Sequence, residues 1–304
     1  MLVYLNGRMI QRDRARVHLD DAGFQHAVGL FETMSAHHGT PFRLQAHLRR
    51  LGASATALGL VRALDTEALA GATLRTLEEN GLQEARVRVT VTGGGLSMRS
   101  PAARGPQAPD PTVVVVAEEP VRYDPGYFDR GISVVVAPPA ANPFDPLAGH
   151  KTLSYWGRLR TLRQAAAAGA GEAIWLNVSN HLASGAVSNV FLVKDEQLFT
   201  PIARGEEAPG ALAAPVLPGI TRAAVRELAE AAKIPVHQRM LGVNELLGAD
   251  EVFLTNSGWH VLPVTRVEQK SIGSGAVGPL TKKFRTEVLE LIERETADPA
   301  PMSP

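Results

Sequence analysis

A helix start that suits an anion is the feature that most constrains this chain. Residues 217–222 have the sequence LPGITR, in which Pro218 and Gly219 predict a tight turn. The stretch that follows, 221–233, has apolar residues spaced as one helical face: Ala224, Val225, Leu228, Ala231 and Ala232. The first N–H groups of a helix have no partner within it and carry partial positive charge, so they bind anions. By itself the segment is equally typical of a helix that begins at a proline.

The composition indicates a globular chain and disfavours nucleic-acid and membrane partners. Its 304 residues suffice for one large domain or two modest ones with a buried core. Lysine plus arginine and aspartate plus glutamate both number 31, so no net charge attracts nucleic acid or an acidic membrane. No apolar run approaches the roughly 20 residues of a membrane helix, and the first residues are unlike a signal peptide. We therefore expect a cytoplasmic protein that binds neither nucleic acid nor membrane.

Several common types of site are not predicted. The chain has no cysteine, which excludes disulfides, thiolate nucleophiles and thiolate metal ligands. None of its nine histidines shows metal-ligand spacing with a carboxylate partner, so no metal is expected. No serine lies in a Gly-x-Ser-x-Gly elbow, which disfavours a serine hydrolase.

Helix and strand patterns along the chain predict a mixed α/β fold. Strands are predicted at residues 2–5, 86–91, 112–116, 133–136, 173–177, 187–193, 251–254 and 260–264. Helices are predicted at 44–58, 155–166, 221–233 and 281–294. The run 112–116 is largely β-branched and is predicted to be buried on both faces. A polar linker at 120–127 would separate an amino-terminal domain, 1–119, from a larger domain, 128–294, with a tail at 295–304.

Blocks spread over almost the whole chain, from Tyr4 to Glu293, resemble the class IV aminotransferases, the pyridoxal-phosphate (PLP) enzymes of fold type IV. The blocks are GLFET at 29–33, HLRRL at 47–51, HKTLSY at 150–155, LPGITR at 217–222, ADEVF at 249–253, TNSG at 255–258, PV at 263–264 and GPLT at 278–281. Single blocks are weak signals, whereas their order and spacing together are specific. The resemblance implies two α/β domains with the cofactor between them, the D-amino-acid aminotransferase-like fold, assembled as a homodimer.

The resemblance implies a catalytic role for Lys151. This residue matches the lysine that bonds covalently to the cofactor aldehyde and later moves the substrate's Cα proton. Most lysines are solvated surface residues. A lysine just before a predicted helix, in register with a separate phosphate-binding block, fits the catalytic role better.

The resemblance also implies a phosphate site and a cofactor, pyridoxal 5'-phosphate. Arg50 matches the arginine that binds the cofactor phosphate, and the fork of a guanidinium group suits a phosphate well. Gly219, Ile220 and Thr221 match the phosphate-binding turn. Ser257 matches a hydroxyl residue that contacts the same phosphate.

The chain departs from the family pattern at two places. Family members usually carry a Tyr-Gly-Asp-Gly-like run where residues 26–29 are HAVG. Ser184 stands where the family has a glutamate that pairs with the pyridine nitrogen of the cofactor and keeps it protonated. A hydroxyl can hydrogen-bond to a neutral nitrogen but cannot hold a proton on it. Ser184 as a cofactor contact therefore predicts a weaker electron sink and slow transamination.

Three functions stay open, each with a small amino-acid-like substrate. The first is an aminodeoxychorismate-lyase-like enzyme, which forms 4-aminobenzoate and pyruvate; residues 255–257 (TNS) followed by 263–264 (PV) resemble those lyases more than branched-chain transaminases. Its aromatic product supplies driving force that a weak sink does not. The second is a branched-chain or D-amino-acid aminotransferase, which LPGITR and ADEVF fit equally well. The third is a non-catalytic relative, suggested by Ser184 and residues 26–29.

Overall fold

Strands and helices alternate along the chain in a computed structural model, which describes residues 1–95, 110–138 and 141–297. The strands are β1 (Leu2–Leu5), β2 (Arg8–Gln11), β3 (Gly29–His37), β4 (Thr40–Pro41), β5 (Ala85–Thr92), β6 (Val113–Glu118), β7 (Ile132–Val136), β8 (Glu172–Leu176), β9 (Leu182–Gly185), β10 (Asn189–Lys194), β11 (Gln197–Thr200), β12 (Val236–Gln238), β13 (Glu251–Asn256), β14 (His260–Val267) and β15 (Lys270–Ser271). The helices are α1 (Ala22–His26), α2 (Leu44–Ala57), α3 (Thr66–Glu79), α4 (Gly126–Asp129), α5 (Trp156–Ala167), α6 (Ile220–Ala231), α7 (Val243–Leu247) and α8 (Pro279–Ala297).

The chain divides into two compact units that are not continuous in sequence. Unit 1 comprises Met1–Val121, His150–Ser154 and Ile292–Pro304, and unit 2 comprises Arg122–Gly149 and Tyr155–Leu291. None of the helices among the described residues combines the length and apolar character that crossing a membrane would require.

Unit 1 is built on a six-stranded antiparallel sheet in the order β2-β1-β6-β5-β3-β4. Helices α2 and α3 pack on one face, and the core lies between them and the sheet. Burial explains why apolar and polar residues alternate in β5. Val87, Val89 and Val91 are buried in that core, while Arg86 and Arg88 are only half-buried on the other face. The predicted strand at 86–91 is therefore confirmed.

Unit 2 is built on a nine-stranded mixed sheet. Its order is β12-β11-β10-β13-β14-β7-β8-β9, with β15 beside β14. The pairs β11–β12, β14–β7 and β7–β8 are parallel and the other pairs are antiparallel. Helix α5 contacts β8, and α6 contacts β12 and β13. The core includes Val190, Leu192, Val252, Leu254 and Leu262.

The prediction that residues 112–116 form a strand buried on both faces is wrong. The strand is β6, and only Val115 and Ala117 are fully buried, whereas Val114 and Val116 are half-buried. Helices α2 and α3 cover one face of the sheet in unit 1, so this β-branched run alternates in burial like its neighbour β5. A run of valines fits a half-buried strand as well as a fully buried one.

Two helices differ in extent from the prediction. Helix α6 begins at Ile220 and ends at Ala231, so Ala231 and Ala232 at its end are exposed instead of lying on its buried face. Helix α8 continues to Ala297, because Thr296 is buried and Arg43 pairs with Glu295 at 3.1 Å within unit 1. Residues 298–304 of the predicted tail lie outside the described residues.

Candidate functional site

The backbone of Lys151 is tied to the end of β3 in unit 1. Phe31 N–H donates to the carbonyl of Lys151 at 3.0 Å, and Leu153 N–H donates to the carbonyl of Gly29 at 2.9 Å. A Cβ at Gly29 would lie 2.7 Å from both the Leu153 side chain and the carbonyl oxygen of Val91. Glycine is therefore needed at position 29 for this segment to approach the strand so closely.

Two cationic side chains lie against one aromatic ring beside that segment. The Lys151 ammonium is 4.5 Å from the centroid of the Phe31 ring, and the Arg88 guanidinium carbon is 3.7 Å from it. Arg88 is steadied by a hydrogen bond to the Thr90 hydroxyl at 3.3 Å. Because aromatic rings attract cations, Phe31 collects two positive charges at this end of the sheet. Sequence reasoning did not single out Arg88, since the alternation of residues 86–91 identified a face of the strand but no partner for Arg88.

Arg50 belongs to a buried cluster with Glu32 and His47. Its Nε donates to Glu32 Oε1 at 2.8 Å and its Nη2 to Glu32 Oε2 at 2.6 Å. His47 Nδ1 lies 2.8 Å from Glu32 Oε2. The side chains of Glu32 and His47 are 0% and 1% exposed, and that of Arg50 is 11% exposed. Arg50 thus commits two of its five N–H groups to Glu32, and the other three point away from this carboxylate.

The charges in this cluster follow from its burial. Burial alone would raise the pKa of Glu32, but the charge of Arg50 and the hydrogen bonds from His47 and Arg50 outweigh it and hold the pKa well below its usual range. Burial lowers the pKa of His47, and the charges of Arg50 and Lys151 lower it further against the pull of Glu32. The cluster is therefore an anionic Glu32 and a cationic Arg50, with His47 neutral and donating through Nδ1.

Unit 1 therefore brings together two of the predicted site residues, Lys151 and Arg50, and adds partners that sequence reasoning missed. Glu32 belongs to the GLFET block at residues 29–33, but sequence reasoning assigned it no role. A signal for the cluster was available, because His47 and Arg50 are three residues apart and so share a face of α2.

In unit 2, the start of α6 is shaped by Asn189. The Asn189 amide donates to the carbonyl of Leu217 at 2.9 Å, and a Cβ at Gly219 would overlap its Oδ1. Gly219 is the helix N-cap and offers no side-chain cap. Among the described residues, the N–H groups of Ile220 and Thr221 have no hydrogen-bond acceptor. They are donors of the kind that anions bind at helix starts.

The end of β13 lies beside this helix start. Thr255 is the cross-strand neighbour of Asn189, and its buried hydroxyl has no partner among the described residues. Asn256 shapes the turn that carries Ser257: its amide donates to the carbonyl of Val187 at 3.3 Å, and its Oδ1 accepts from the N–H groups two and three residues on. A buried hydroxyl without a partner is costly, so Thr255 indicates a ligand. Only the structure provides that signal.

Arg222, the arginine of LPGITR, anchors the helix by pairing with a carboxylate of the protein. It is among the largest fully buried side chains. It donates to the Glu206 carboxylate through Nη1 at 2.7 Å and through Nη2 at 2.8 Å. Its remaining contacts are the Thr200 hydroxyl at 3.2 Å and the Pro201 carbonyl at 3.0 Å. Arg222 is therefore engaged by protein groups and anchors the first turn of α6 to Glu206.

Ser184 is buried on β9 opposite Trp175 on β8. No residue that the structure describes forms a hydrogen bond with its hydroxyl. The carboxylate closest to the following turn is that of Glu172, which accepts from the N–H groups of Ala186 and Val187, both at 3.2 Å. Burial raises the pKa of Glu172. Unit 2 thus holds Ser184, together with the predicted phosphate residues 219–221 and Ser257, and no carboxylate occupies the position of Ser184. No cluster of metal-binding side chains occurs in the described parts of the chain.

Comparisons with known proteins identify the family and the fold of the chain. The family model for amino-transferase class IV matches residues 29–267. A putative branched-chain-amino-acid aminotransferase of Methanocaldococcus jannaschii is 30% identical over 96% of each chain. The crystal structure of a branched-chain aminotransferase of Escherichia coli has a TM-score of 0.85 and 27% identity, covering 99% of this chain and 97% of that one. A 4-amino-4-deoxychorismate lyase of Pseudomonas aeruginosa has a TM-score of 0.81 and 28% identity, covering 95% and 98%. The predicted mixed α/β fold is confirmed.

Proposed function

We propose that Lys151 is the cofactor lysine of this chain, which belongs to the amino-transferase class IV family of PLP-dependent enzymes. In support, the segment that carries it is held by β3 through two hydrogen bonds, from Phe31 to Lys151 and from Leu153 to Gly29, and its ammonium group lies against the Phe31 ring. Positioned in this way, Nζ is the base that takes a proton from the substrate and returns it. When bound, PLP supplies an electron sink for bonds at the substrate's Cα.

The described residues of unit 2 suit the cofactor phosphate. The unpaired Thr255 hydroxyl, the N–H groups of Ile220 and Thr221 and the close approach at Gly219 all favour an anion. We propose that these donors and the Ser257 hydroxyl bind the phosphate.

In unit 1 we propose that Arg50 binds the phosphate through the N–H groups that point away from Glu32. Glu32 sets the orientation of that guanidinium group, and His47 fixes Glu32 in turn. We propose that Arg88, whose guanidinium lies on the same ring as Lys151, pairs with a carboxylate of the substrate.

The reaction we propose is that of an aminodeoxychorismate-lyase-like enzyme, in which a proton is removed, pyruvate is expelled and aromatic 4-aminobenzoate is left. One observation carries this choice: Ser184, at the family's glutamate position, is buried, and its hydroxyl can bond to the pyridine nitrogen but cannot hold a proton on it. Aromatisation drives the elimination, so this reaction depends less on a strong sink than transamination does.

A branched-chain or D-amino-acid aminotransferase is the second candidate. It is favoured by the 30% identity to a putative branched-chain aminotransferase and by the TM-score of 0.85 with another. Since these similarities extend over almost the whole chain, they support the family more strongly than the choice of substrate.

A substrate panel on the PLP-loaded protein tests the proposal. We expect 4-amino-4-deoxychorismate to give 4-aminobenzoate and pyruvate, and L-leucine or D-alanine with 2-oxoglutarate to react much more slowly. Faster turnover of an amino acid would replace the lyase with the aminotransferase. PLP binding without any turnover would favour the non-catalytic relative. Ser184→Glu should raise half-transamination with simple amino acids, and an unchanged rate with normal PLP binding would remove the argument from Ser184.

The proposal also includes a cytoplasmic homodimer, as the sequence resemblance implies. Light scattering on the purified full-length protein measures the mass in solution. A monomer at micromolar concentration would contradict this part of the proposal without affecting the assignment of Lys151.

A further inference from the structure

A cation lies directly beside the position of Ser184. Arg158, on α5, donates through Nη1 to the carbonyl of Ala186 at 2.7 Å and to that of Gly185 at 3.3 Å. These two residues follow Ser184 in the chain. The Arg158 guanidinium also lies 4.9 Å from the ring centroid of Trp175, the cross-strand neighbour of Ser184. Arg158, Trp175 and Ser184 therefore share one small region of unit 2.

The charge of Arg158 is not neutralised by an ion pair among the described residues. Its hydrogen-bond acceptors there are the two backbone carbonyls, and its side chain is only half-buried. The carboxylate that reaches the same turn, Glu172, is occupied by the N–H groups of Ala186 and Val187 and by the Ser188 hydroxyl. Burial raises the pKa of Glu172, which weakens it further as a counter-charge. The turn after β9 therefore meets one cation without an ion pair, Arg158, and one carboxylate, Glu172, whose oxygens are already engaged by the turn.

We propose that Arg158 and Ser184 together keep the pyridine nitrogen of the bound cofactor unprotonated. The Ser184 hydroxyl donates its hydrogen to the nitrogen lone pair, and Arg158 opposes a second positive charge nearby. The inference rests on the proposed function, because it requires PLP to bind with its nitrogen towards Ser184. It adds a residue that no resemblance singles out: the family glutamate is replaced by Ser184, and a cation, Arg158, bonds to the two residues that follow it.

The size of the effect depends on the separation of like charges, and Arg158 reaches the two residues that follow Ser184. A like charge within about 4–6 Å shifts a protonation equilibrium by one to three pKa units, which is about tenfold or more. Removal of the Arg158 charge should therefore raise the protonated-to-unprotonated ratio of the nitrogen by at least about tenfold. Arg158 is a positioning and electrostatic residue in this scheme, and it exchanges no proton itself.

The test reads the nitrogen directly. The full-length protein is loaded with PLP labelled with nitrogen-15 in the ring, and the nitrogen chemical shift is followed by NMR from neutral to acidic pH. We expect an unprotonated nitrogen in the wild type near neutral pH. In Arg158→Gln the nitrogen should gain its proton at a pH at least about one unit higher, and Arg158→Lys should remain close to the wild type. Arg160→Gln removes an exposed charge from the same helix and is the matched control.

The outcomes separate this inference from the proposed function. If PLP does not label Lys151 in the wild type, the proposed function fails and the inference fails with it. If PLP is bound but the wild-type nitrogen is protonated at neutral pH, only the inference is overturned. The same holds if Arg158→Gln and Arg160→Gln behave alike. If Arg158→Gln fails to fold, the nitrogen titration of the wild type is compared with those of Arg158→Lys and Ser184→Glu. This comparison still tests the inference, because the glutamate in Ser184→Glu is expected to restore a protonated nitrogen.

Discussion

The hydrogen-bond donors that we propose for the cofactor phosphate are held in two different ways in unit 1 and in unit 2. In unit 1 the donor is the side chain of Arg50, and a buried carboxylate, Glu32, is needed to hold it. In unit 2 the donors are the backbone N–H groups at the start of α6, and they need only the right shape, which Gly219 and Asn189 provide. A flexible charged side chain must be fixed by another buried charge, whereas a helix start is fixed by its own backbone.

The difference has consequences for stability. The cluster in unit 1 places charges where water cannot reach, so the loss of one member leaves another unpaired. At the helix start in unit 2 the donors are backbone N–H groups, which are not members of the ion pair between Arg222 and Glu206. Changes in unit 1 should therefore affect folding and binding together, and suitable changes in unit 2 should affect binding alone.

The largest expected effect is the loss of covalent attachment at Lys151. Of the six lysines in the sequence, Lys151 is the one in unit 1, and the other five belong to unit 2. Borohydride reduction of the PLP-loaded protein, followed by peptide mapping, should place the pyridoxyl group on Lys151, and Lys151→Ala should abolish it. A label on a lysine of unit 2, such as Lys194, would reverse the roles of the two units.

The next largest effect is on folding. Glu32→Gln should lower the free energy of unfolding by about 3–5 kcal/mol, because Arg50 would be left without its buried counter-charge. Urea unfolding of the wild type and the variant measures this difference in the free energy of unfolding. Glu79→Gln is the control: Glu79 pairs with Arg75 on the surface at 2.6 Å, and its loss should cost no more than about 0.5 kcal/mol. Equal losses in the two variants would show that the unit 1 cluster is not a special case.

The difference in stability between the wild type and Glu32→Gln depends on pH in a defined way. The pKa of Glu32 is lowered on folding, so its stabilisation is fully present above the unfolded-state pKa of about 4.3 and is lost as the pH falls through the lower folded-state pKa. The stability difference between wild type and Glu32→Gln should therefore shrink in acid below that value. A difference that grows on acidification would mean that Glu32 is protonated in the fold.

A smaller effect is expected on cofactor binding. Arg50→Ala should weaken PLP binding by about 1.5–3 kcal/mol, the range for a hydrogen bond to a charged group. Fluorescence titration with PLP gives the dissociation constant. Arg49→Ala, which removes an exposed guanidinium from the adjacent position, should leave it unchanged. An unaltered constant in Arg50→Ala would remove Arg50 from the proposed phosphate site.

The smallest effect should separate binding from folding in unit 2. Thr255→Val removes a buried hydroxyl without a partner among the described residues, so the apo protein should be no less stable. PLP binding should weaken by about 0.5–1.5 kcal/mol. Thr200→Val is the contrast, because the Thr200 hydroxyl is bonded to the Val190 carbonyl and to Arg222, and its loss should destabilise the fold. If Thr255→Val destabilised the apo protein equally, its hydroxyl would be structural.

Much of the fold could be predicted from the sequence, because the relevant signals are local. Strand alternation at 86–91 and the helical spacing of Phe284, Val288, Leu291 and Ile292 depend on residues a few positions apart. The anion-binding character of LPGITR is local too, because it depends on the backbone at the start of a helix. Helix ends and strand burial were less predictable, as α6, α8 and β6 illustrate, because they depend on what packs against them.

The sequence by itself determined the family, the presence of a helix start within residues 217–222 and the residue types that stand at Lys151 and Ser184. Only the tertiary structure decided what surrounds them. Strand pairing brings Arg88 to the ring that also contacts Lys151, the packing of α2 on the sheet buries Glu32 with Arg50, and the packing of α5 on β8 brings Arg158 to the turn after Ser184. These contacts join residues far apart in the chain. Their energies depend on burial, which exists only once the sheets and helices have assembled.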